Sequence, residues 1–369
     1  MVTFSRPDSP AAVNFAESNM QRIIVLVGAT ASGKTALLEA LFGPGGAFEG
    51  KAEIVSADSM QAYRGMDIGT AKPGPGLLEG LPHHLLDIRN PDESYSVGDF
   101  VQLASRAIDG ILARGLLPVV AGGTGFYVRN LLLGLPSVPP ADPAIRAAVA
   151  ADLARLGPSA LRAELAAGDP ASAARIHPND LYRLTRAIEI LRASGRPLGD
   201  FLPGAPSRRP SATGPVPKLL PARRWLAVHY RRPRDELALR VARRVDEMLA
   251  AGLAEEVAAL VSAGFGADSP GMRAIGYAEF LSLMGEGLSG RALLDAARDR
   301  IVTDTLQYAK RQETFFRGLF KALEAQGEGA VAREGREGPP RTFEVAAIDA
   351  ADFGSDLSRL AALIGASIA

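Results

Sequence analysis

Residues 27–39 read VGATASGKTALLE, and no other stretch narrows the possible folds as much. Gly28, four residues, then Gly33-Lys34-Thr35 fits the phosphate-loop pattern G-x-x-x-x-G-K-[ST]. The apolar run Ile23 to Val27 precedes it and a helix-like stretch, Ala36 to Leu41, follows. A strand must therefore deliver the chain into a tight turn, and a helix must leave it. In such a turn the backbone N–H groups and the helix N-terminus surround phosphate oxygens, while Lys34 adds a mobile positive charge and the Thr35 hydroxyl can ligate magnesium. Gly28, Ala29, Thr30, Ala31, Ser32 and Gly33 complete the expected diphosphate-binding set. The physics recognises a diphosphate; it requires neither a nucleotide nor a γ-phosphate.

The remaining chain supplies a sheet for that loop. Arg22 to Val27, Glu53 to Ala57 and Leu117 to Ala121 are strand-like, and Val97 to Arg114 carries Phe100, Val101, Leu103, Ile108, Ile111 and Leu112 at helical spacing. This βαβ rhythm predicts a parallel sheet whose carboxyl edge collects the active loops. Asp142-Pro143 and Asp169-Pro170 each pair an N-cap with proline at the first helical position, and Gly157, Gly168 and Gly195 stand where helices stop. Residues 142–195 should thus be helical throughout. Arg224 to Tyr230 returns as a strand; helices are expected over 234–251, 253–263, 272–284 and 290–318; Ala325 to Arg341 reads as flexible, and 342–369 as a strand and a short helix.

The expected fold class is α/β: a parallel-sheet P-loop NTPase-like core with an all-helical insertion and a helical C-terminal part. By residue, that is a disordered leader (1–20), the core (21–134), the insertion (135–200), an irregular connection rich in proline, glycine and serine (201–222), a return to the core with C-terminal helices (223–320) and a tail (321–369). Cysteine is absent, which excludes a disulfide framework, a thiolate nucleophile and a zinc–thiolate site, and four histidines argue against a histidine-rich metal site. No apolar run approaches the roughly 20 residues that span a bilayer. The first 20 residues lack the charged start and apolar stretch of a secretory signal. A cytoplasmic protein with no membrane partner is expected. The formal net charge is zero, so any attraction to nucleic acid must be local.

Two further stretches carry chemistry. In SADSMQAYRGMDIGTAKP, residues 56–73, Asp58 sits at the carboxyl end of a buried strand, either as the Asx-turn that ends it or as a carboxylate serving a metal or a substrate proton. In GGTGFY, residues 122–127, Thr124 can bond a substrate or cap the next helix. His83 and His84 read as loop-packing residues. These features alone fit a P-loop kinase or ATPase, weakened by the lack of a lid-like arginine cluster or a second acidic strand. They also leave room for a non-catalytic RNA-binding module, which would need neither Lys34 nor Asp58.

Taken in order, GATASGKT, SADSMQAYRGMDIGTAKP, HHLLDI, YSVGDF, GGTGFY, DPASAARIHPND, RAIEILRASGRP, AIGYAEF and YAKRQETFFR resemble the tRNA dimethylallyltransferase family, over residues 23 to about 317. The resemblance implies that the loop holds the diphosphate of dimethylallyl diphosphate with Mg2+, and that the acceptor is N6 of the adenine immediately 3′ of the anticodon. It implies catalytic roles for Asp58 as base and for Lys34, Thr35 and Thr124, with Thr35 on the metal and Arg234 on the diphosphate. It places Asp58, Ser59, Met60, Gln61 and Thr124 at the flipped nucleotide, and Arg146, Tyr182, Arg183, Arg186, Arg273, Lys310 and Arg311 on the tRNA anticodon stem-loop. A monomer is expected. Leu306, Phe315 and Ala278 depart from the family's arginine, tryptophan and basic residue, so contacts there are reduced.

Overall fold

An apolar strand does deliver the chain into the glycine loop: β1 (Arg22–Val27) is buried from Ile23 to Val27, as a strand covered on both faces must be. The structure is a computed structural model that describes residues 22–135, 138–139, 142–201, 224–327 and 342–368. The expected leader lies outside these residues, as does most of the irregular connection. The described residues fall into two compact units, one within Met1–Leu133 and Leu219–Ala369 and the other within Gly134–Lys218.

In the first unit β1 is joined by β2 (Ala52–Ser56), β3 (His83–His84), β4 (Leu117–Gly122), β5 (Arg224–Arg231) and β6 (Thr342–Asp349), in the order β3-β2-β4-β1-β5-β6 with every pair parallel. Ile24 lies opposite Val119 of β4 and Leu226 of β5, so β1 is central and its loop emerges where the sheet order turns. Helices cover both faces: α1 (Lys34–Phe42), α2 (Pro75–Gly80), α3 (Val97–Ala113) and α4 (Gly125–Leu133) come before the insertion. α3 starts at a capping box in which Ser96 and Asp99 satisfy each other's backbone N–H groups.

The C-terminal half adds α8 (Arg234–Ala250), α9 (Leu253–Ser262), α10 (Ala278–Gly285), α11 (Gly290–Gly327) and α12 (Phe353–Ile368). Three differences from the sequence reading have local causes. The helix expected from 272 begins at Ala278, because Gly276 at φ 101° follows a short 3-10 turn, Gly271–Arg273. α11 continues past 318 because Leu319, Phe320 and Leu323 stay buried. His83 and His84 pair with Ile54 and Val55 as an edge strand where a loop was expected. α12 packs Leu360 and Ile364 against Leu37, Leu38 and Leu41 of α1.

The second unit is helical. α5 (Pro143–Gly168) starts at Asp142, whose carboxylate accepts from the N–H groups of Ala144 and Ile145, and kinks at Gly157, φ 78°. α6 (Pro170–Arg175) and α7 (Leu181–Ser194) are capped by Asp169 and Asp180, and α7 ends on left-handed Gly195. Val149, Leu161, Leu165, Ile176, Leu184 and Ile188 form its core. Among the described residues, no helix of the protein is long and apolar enough to cross a membrane.

Candidate active site

The phosphate loop is shaped by what lies behind it. A β carbon on Gly28 would stand 2.4 Å from the Tyr230 carbonyl oxygen, so β5 can approach only a glycine. Gly33, at φ 105°, turns the chain into α1. Cations hold the loop's carbonyls: Lys34 Nζ donates to the oxygens of Gly28 and Ala29, both at 2.9 Å, Arg240 Nε to Ala31 at 2.8 Å, and Arg232 Nε to Ser32 at 2.8 Å. No side chain caps α1, so its first N–H groups are left for an anion. Burial pushes the Lys34 ammonium down to about 8; Arg244 repels it further and Asp58 offsets part of the effect. Arg244 is likewise lowered by burial, and Asp58 opposes that shift. Lys34, Arg244 and Asp58 therefore share one electrostatic neighbourhood.

Asp58 follows β2. Its Oδ1 accepts from Met60 N at 2.9 Å, so the Asx-turn is present, and its other oxygen has no hydrogen-bond partner among the described residues. Thr124 spends its side chain on that loop and not on its own helix: Oγ1 accepts from Ser59 N at 3.0 Å and donates to Ser59 Oγ at 3.3 Å. The Thr124 N–H donates to Ala57 O at 3.1 Å, and at neighbouring Gly122 a β carbon would stand 2.3 Å from the same oxygen. The two loops are therefore fixed to one another.

A residue of α11 joins this pair to the phosphate loop. Gln312, only 5% exposed, accepts from Thr30 N at 2.9 Å and donates through Nε2 to Gly123 O at 2.8 Å. Tyr308, one turn earlier, neighbours Thr124 and Gln312, and burial pushes its hydroxyl up to about 12. The same helix turns Lys310 and Arg311 to solvent, where with Gln307, Thr314 and Phe315 they line an open hollow of about 510 Å³. The Phe315 ring lies over Gly125, whose β carbon would be 2.4 Å from it.

The other expected residues are scattered more widely. Ser59 and Met60 are half-buried beside Asp58, but the Gln61 amide is tied to its own loop, donating to Thr70 O and Ala71 O at 3.3 and 3.2 Å and accepting from Ser56 Oγ at 3.0 Å. Arg234 opens α8 in solvent with no partner among the described residues; two turns of chain around it, Arg232 and Arg240 reach the loop instead. Arg273 is exposed and bonds weakly, at 3.4 Å, to Ala267 O and Asp268 O. In the helical unit Glu189 takes up Arg186 at 2.8 Å and Arg146 at 3.7 Å, Arg183 stands 3.4 Å from Asp180, and Tyr182 is 81% exposed.

Sequence reasoning missed Arg232, Arg240, Arg244 and Gln312. Arg240 and Arg244 are four apart and so share a helix face, but Leu237, Val241 and Val245 were needed to show that this face borders the core. Nothing in the sequence marks Arg232. For magnesium, no group of three or more histidine, aspartate or glutamate side chains among the described residues could hold an ion. Mg2+ characteristically takes one or two protein oxygens and completes its shell with water and substrate phosphates. The exposed Thr35 hydroxyl at the loop's mouth fits that arrangement, and the donor set fits no protein-only cage.

Known proteins resemble this chain over most of its length. The family model described as IPP transferase matches residues 61–319. A curated tRNA dimethylallyltransferase of Geobacter sulfurreducens is 42% identical over 296 residues, 80% of this chain and 89% of the relative. That of Xanthomonas oryzae is 44% identical over 306 residues, 81% of this chain and 88% of the relative. The crystal structure of the full-length tRNA isopentenylpyrophosphate transferase of Bacillus halodurans superposes with a TM-score of 0.58 at 31% identity, covering 94% of this chain and 97% of its own.

Proposed function

This chain belongs to the IPP transferase family, and from that premise we propose that it transfers a dimethylallyl group from dimethylallyl diphosphate to N6 of the adenine immediately 3′ of the anticodon in tRNA. The observation that carries the reading is the joining of two half-sites. Gln312 ties the diphosphate loop to the Gly123–Thr124 turn, and Thr124 ties that turn to Ser59, next to Asp58. A loop for a leaving diphosphate and a carboxylate for a departing proton are thereby held in one frame.

The chemistry needs both. An exocyclic adenine amine is a poor nucleophile because its lone pair is delocalised into the ring, and it becomes acidic only as the new C–N bond forms. Asp58 accepts that proton while the C–O bond to diphosphate breaks. The charge that develops on the departing oxygen meets the loop N–H groups, Lys34 and the guanidinium groups of Arg240 and Arg244. Mg2+, held by the Thr35 hydroxyl and the diphosphate oxygens, would neutralise charge on the leaving group. Thr124 orients the Asp58 loop, and the flipped adenine is gripped by Asp58, Ser59 and Met60, with Gln61 bracing their loop from behind.

For the RNA we assign Tyr182 and Arg183, both extended into solvent, with Arg273, Lys310 and Arg311. Arg146 and Arg186 must exchange Glu189 for phosphate. We place the enzyme in the cytoplasm as a monomer. The test combines purified protein, Mg2+, dimethylallyl diphosphate and an anticodon stem-loop with adenine after the anticodon, read by mass spectrometry. A five-carbon addition that Asp58→Asn abolishes supports the reading; no addition together with ATP hydrolysis sinks it.

A further inference from the structure

The sheet's last strand and the helix that follows it reach the phosphate loop through buried polar groups. Asp356, in the first turn of α12, has no solvent exposure. Its Oδ2 accepts from the Tyr230 hydroxyl at 2.7 Å and its Oδ1 from Ala351 N at 3.2 Å. The Tyr230 oxygen in turn accepts from Arg232 Nη2 at 2.8 Å, and Arg232 Nε donates to Ser32 O, while a third edge of the guanidinium meets Glu236. Burial, reinforced by the bond to Asp356, pushes the Tyr230 hydroxyl up to about 12, so it stays a donor.

Two physical points give this chain a purpose. Burying a carboxylate is costly, and a well-packed apolar pair would close the sheet edge as well. The cost is met here for a chain of directed bonds that ends on a loop carbonyl. A trans peptide also points its C=O and N–H to opposite sides. Arg232, drawing the Ser32 carbonyl outward, therefore turns the Gly33 N–H inward, toward the position an anion takes at the start of α1. Gly33 sits at φ 105°, where that orientation costs least for glycine.

We propose that Asp356, acting through Tyr230 and Arg232, is a positioning residue for the phosphate loop, fixing the Ser32–Gly33 peptide so that its N–H meets the diphosphate. The inference rests on the reading of that loop as a diphosphate site. The C-terminal strand and helix thus do more than extend the sheet: they set donor affinity. Tyr230→Phe keeps the buried ring and removes both bonds; Asp356→Asn keeps the shape and an acceptor.

The full-length protein with Mg2+ would be titrated calorimetrically with inorganic diphosphate, alongside transfer kinetics, anticodon stem-loop binding and thermal unfolding. Tyr230→Phe should raise the diphosphate Kd and the KM for dimethylallyl diphosphate about three- to tenfold, because the two lost bonds reach the anion only through the aim of one backbone N–H. Stem-loop affinity should not change. In an Arg232→Lys background the added effect of Tyr230→Phe should vanish, because both act on one path. A lowered thermal midpoint with an unchanged diphosphate Kd would overturn the proposal, as would full additivity. Should Tyr230→Phe not fold, Asp356→Asn carries the same test with a smaller shift expected. If the parent protein binds diphosphate but transfers no prenyl group, the functional reading fails while this inference is still decided by the Kd values.

Discussion

Gln312→Ala isolates the coupling between the phosphate loop and the Gly123–Thr124 turn. The substitution leaves the Thr30 N–H and the Gly123 C=O without their side-chain partner in a place where Gln312 itself was 5% exposed. A buried backbone group left unpaired costs about 1–3 kcal/mol; water entering the space left by the side chain favours the lower end, so the pair costs about 2–4 kcal/mol. If the clasp is tighter in the transition state than in the free enzyme, the same amount appears in kcat/KM as a loss of about 30- to 1,000-fold. Gln312→Glu sharpens the test. Its carboxylate still accepts from Thr30 N–H but confronts Gly123 O with an acceptor, so activity should recover as the pH falls and the protonated group donates again. Single-turnover transfer to an anticodon stem-loop at several pH values, with circular dichroism as a check on folding, measures both. A folded Gln312→Ala protein whose kcat/KM lies within threefold of the parent would refute the coupling argument.

Gly28→Ala forces a β carbon to 2.4 Å from a backbone oxygen of β5, which can yield only if the strands part; denaturant titration should show a loss of about 1–3 kcal/mol, and unchanged stability would contradict the close approach. Lys34 binds its proton less tightly in the folded protein, at about 8, than at the ordinary 10.5 of the unfolded chain, so its charge disfavours folding below pH 8 and the parent should gain stability relative to Lys34→Met as the pH rises from 8 to 10.5. Diphosphate binding near pH 8 should take up protons at Lys34, seen as a buffer-dependent heat in calorimetry; no buffer dependence would count against the depressed value. Arg183→Ala, a 74% exposed side chain, should leave stability alone, weaken stem-loop binding and reduce the salt dependence by about 0.7–0.9 in log–log slope if it contacts a phosphate.

The sheet's inner strands were legible because parallel strands buried on both faces read as apolar runs, as Ile23 to Val27 and Leu117 to Ala121 do. β3 was not, since it consists of two histidines whose pairing depends on a neighbour: His84 Nε2 meets Glu53 at 2.5 Å, and Arg114 holds the same carboxylate at 2.6 Å. The phosphate loop could be found from local spacing, whereas Asp58 and Thr124 were singled out by their place after strands and given roles only by the family resemblance. What holds them could not be found, because the partners are remote in sequence: Thr30 and Gln312 are 282 residues apart, Ser32 and Arg232 are 200, and Tyr230 and Asp356 are 126. Arginines on a helix look the same whether they face water or a loop carbonyl. Arg234 and Arg240 differ only in helix phase against the sheet, and that phase is fixed by Leu237, Val241 and Val245 packing into the core.

The charges in this site suit a reaction that moves charge without creating it. The chain is neutral overall, yet Lys34, Arg232, Arg240 and Arg244 converge on one loop, with Asp58 beside two of them. Three of the four already hold carbonyl oxygens, so they shape the loop before any anion arrives, and little reorganisation remains when one does. In the proposed transfer Asp58 loses its negative charge by taking the N6 proton as the diphosphate gains one from the broken C–O bond. The sum is unchanged; one unit shifts from the strand-end carboxylate toward the loop. Lys34 and Arg244 both interact with Asp58 at the outset, so the attraction they lose there is recovered on the leaving group, and the barrier avoids the cost of separating new charge in a partly buried site. In that transfer the carboxylate is presented by a loop whose backbone is held at Met60 by Asp58 itself and at Ser59 by Thr124, so the base is in place before the amine must lose its proton.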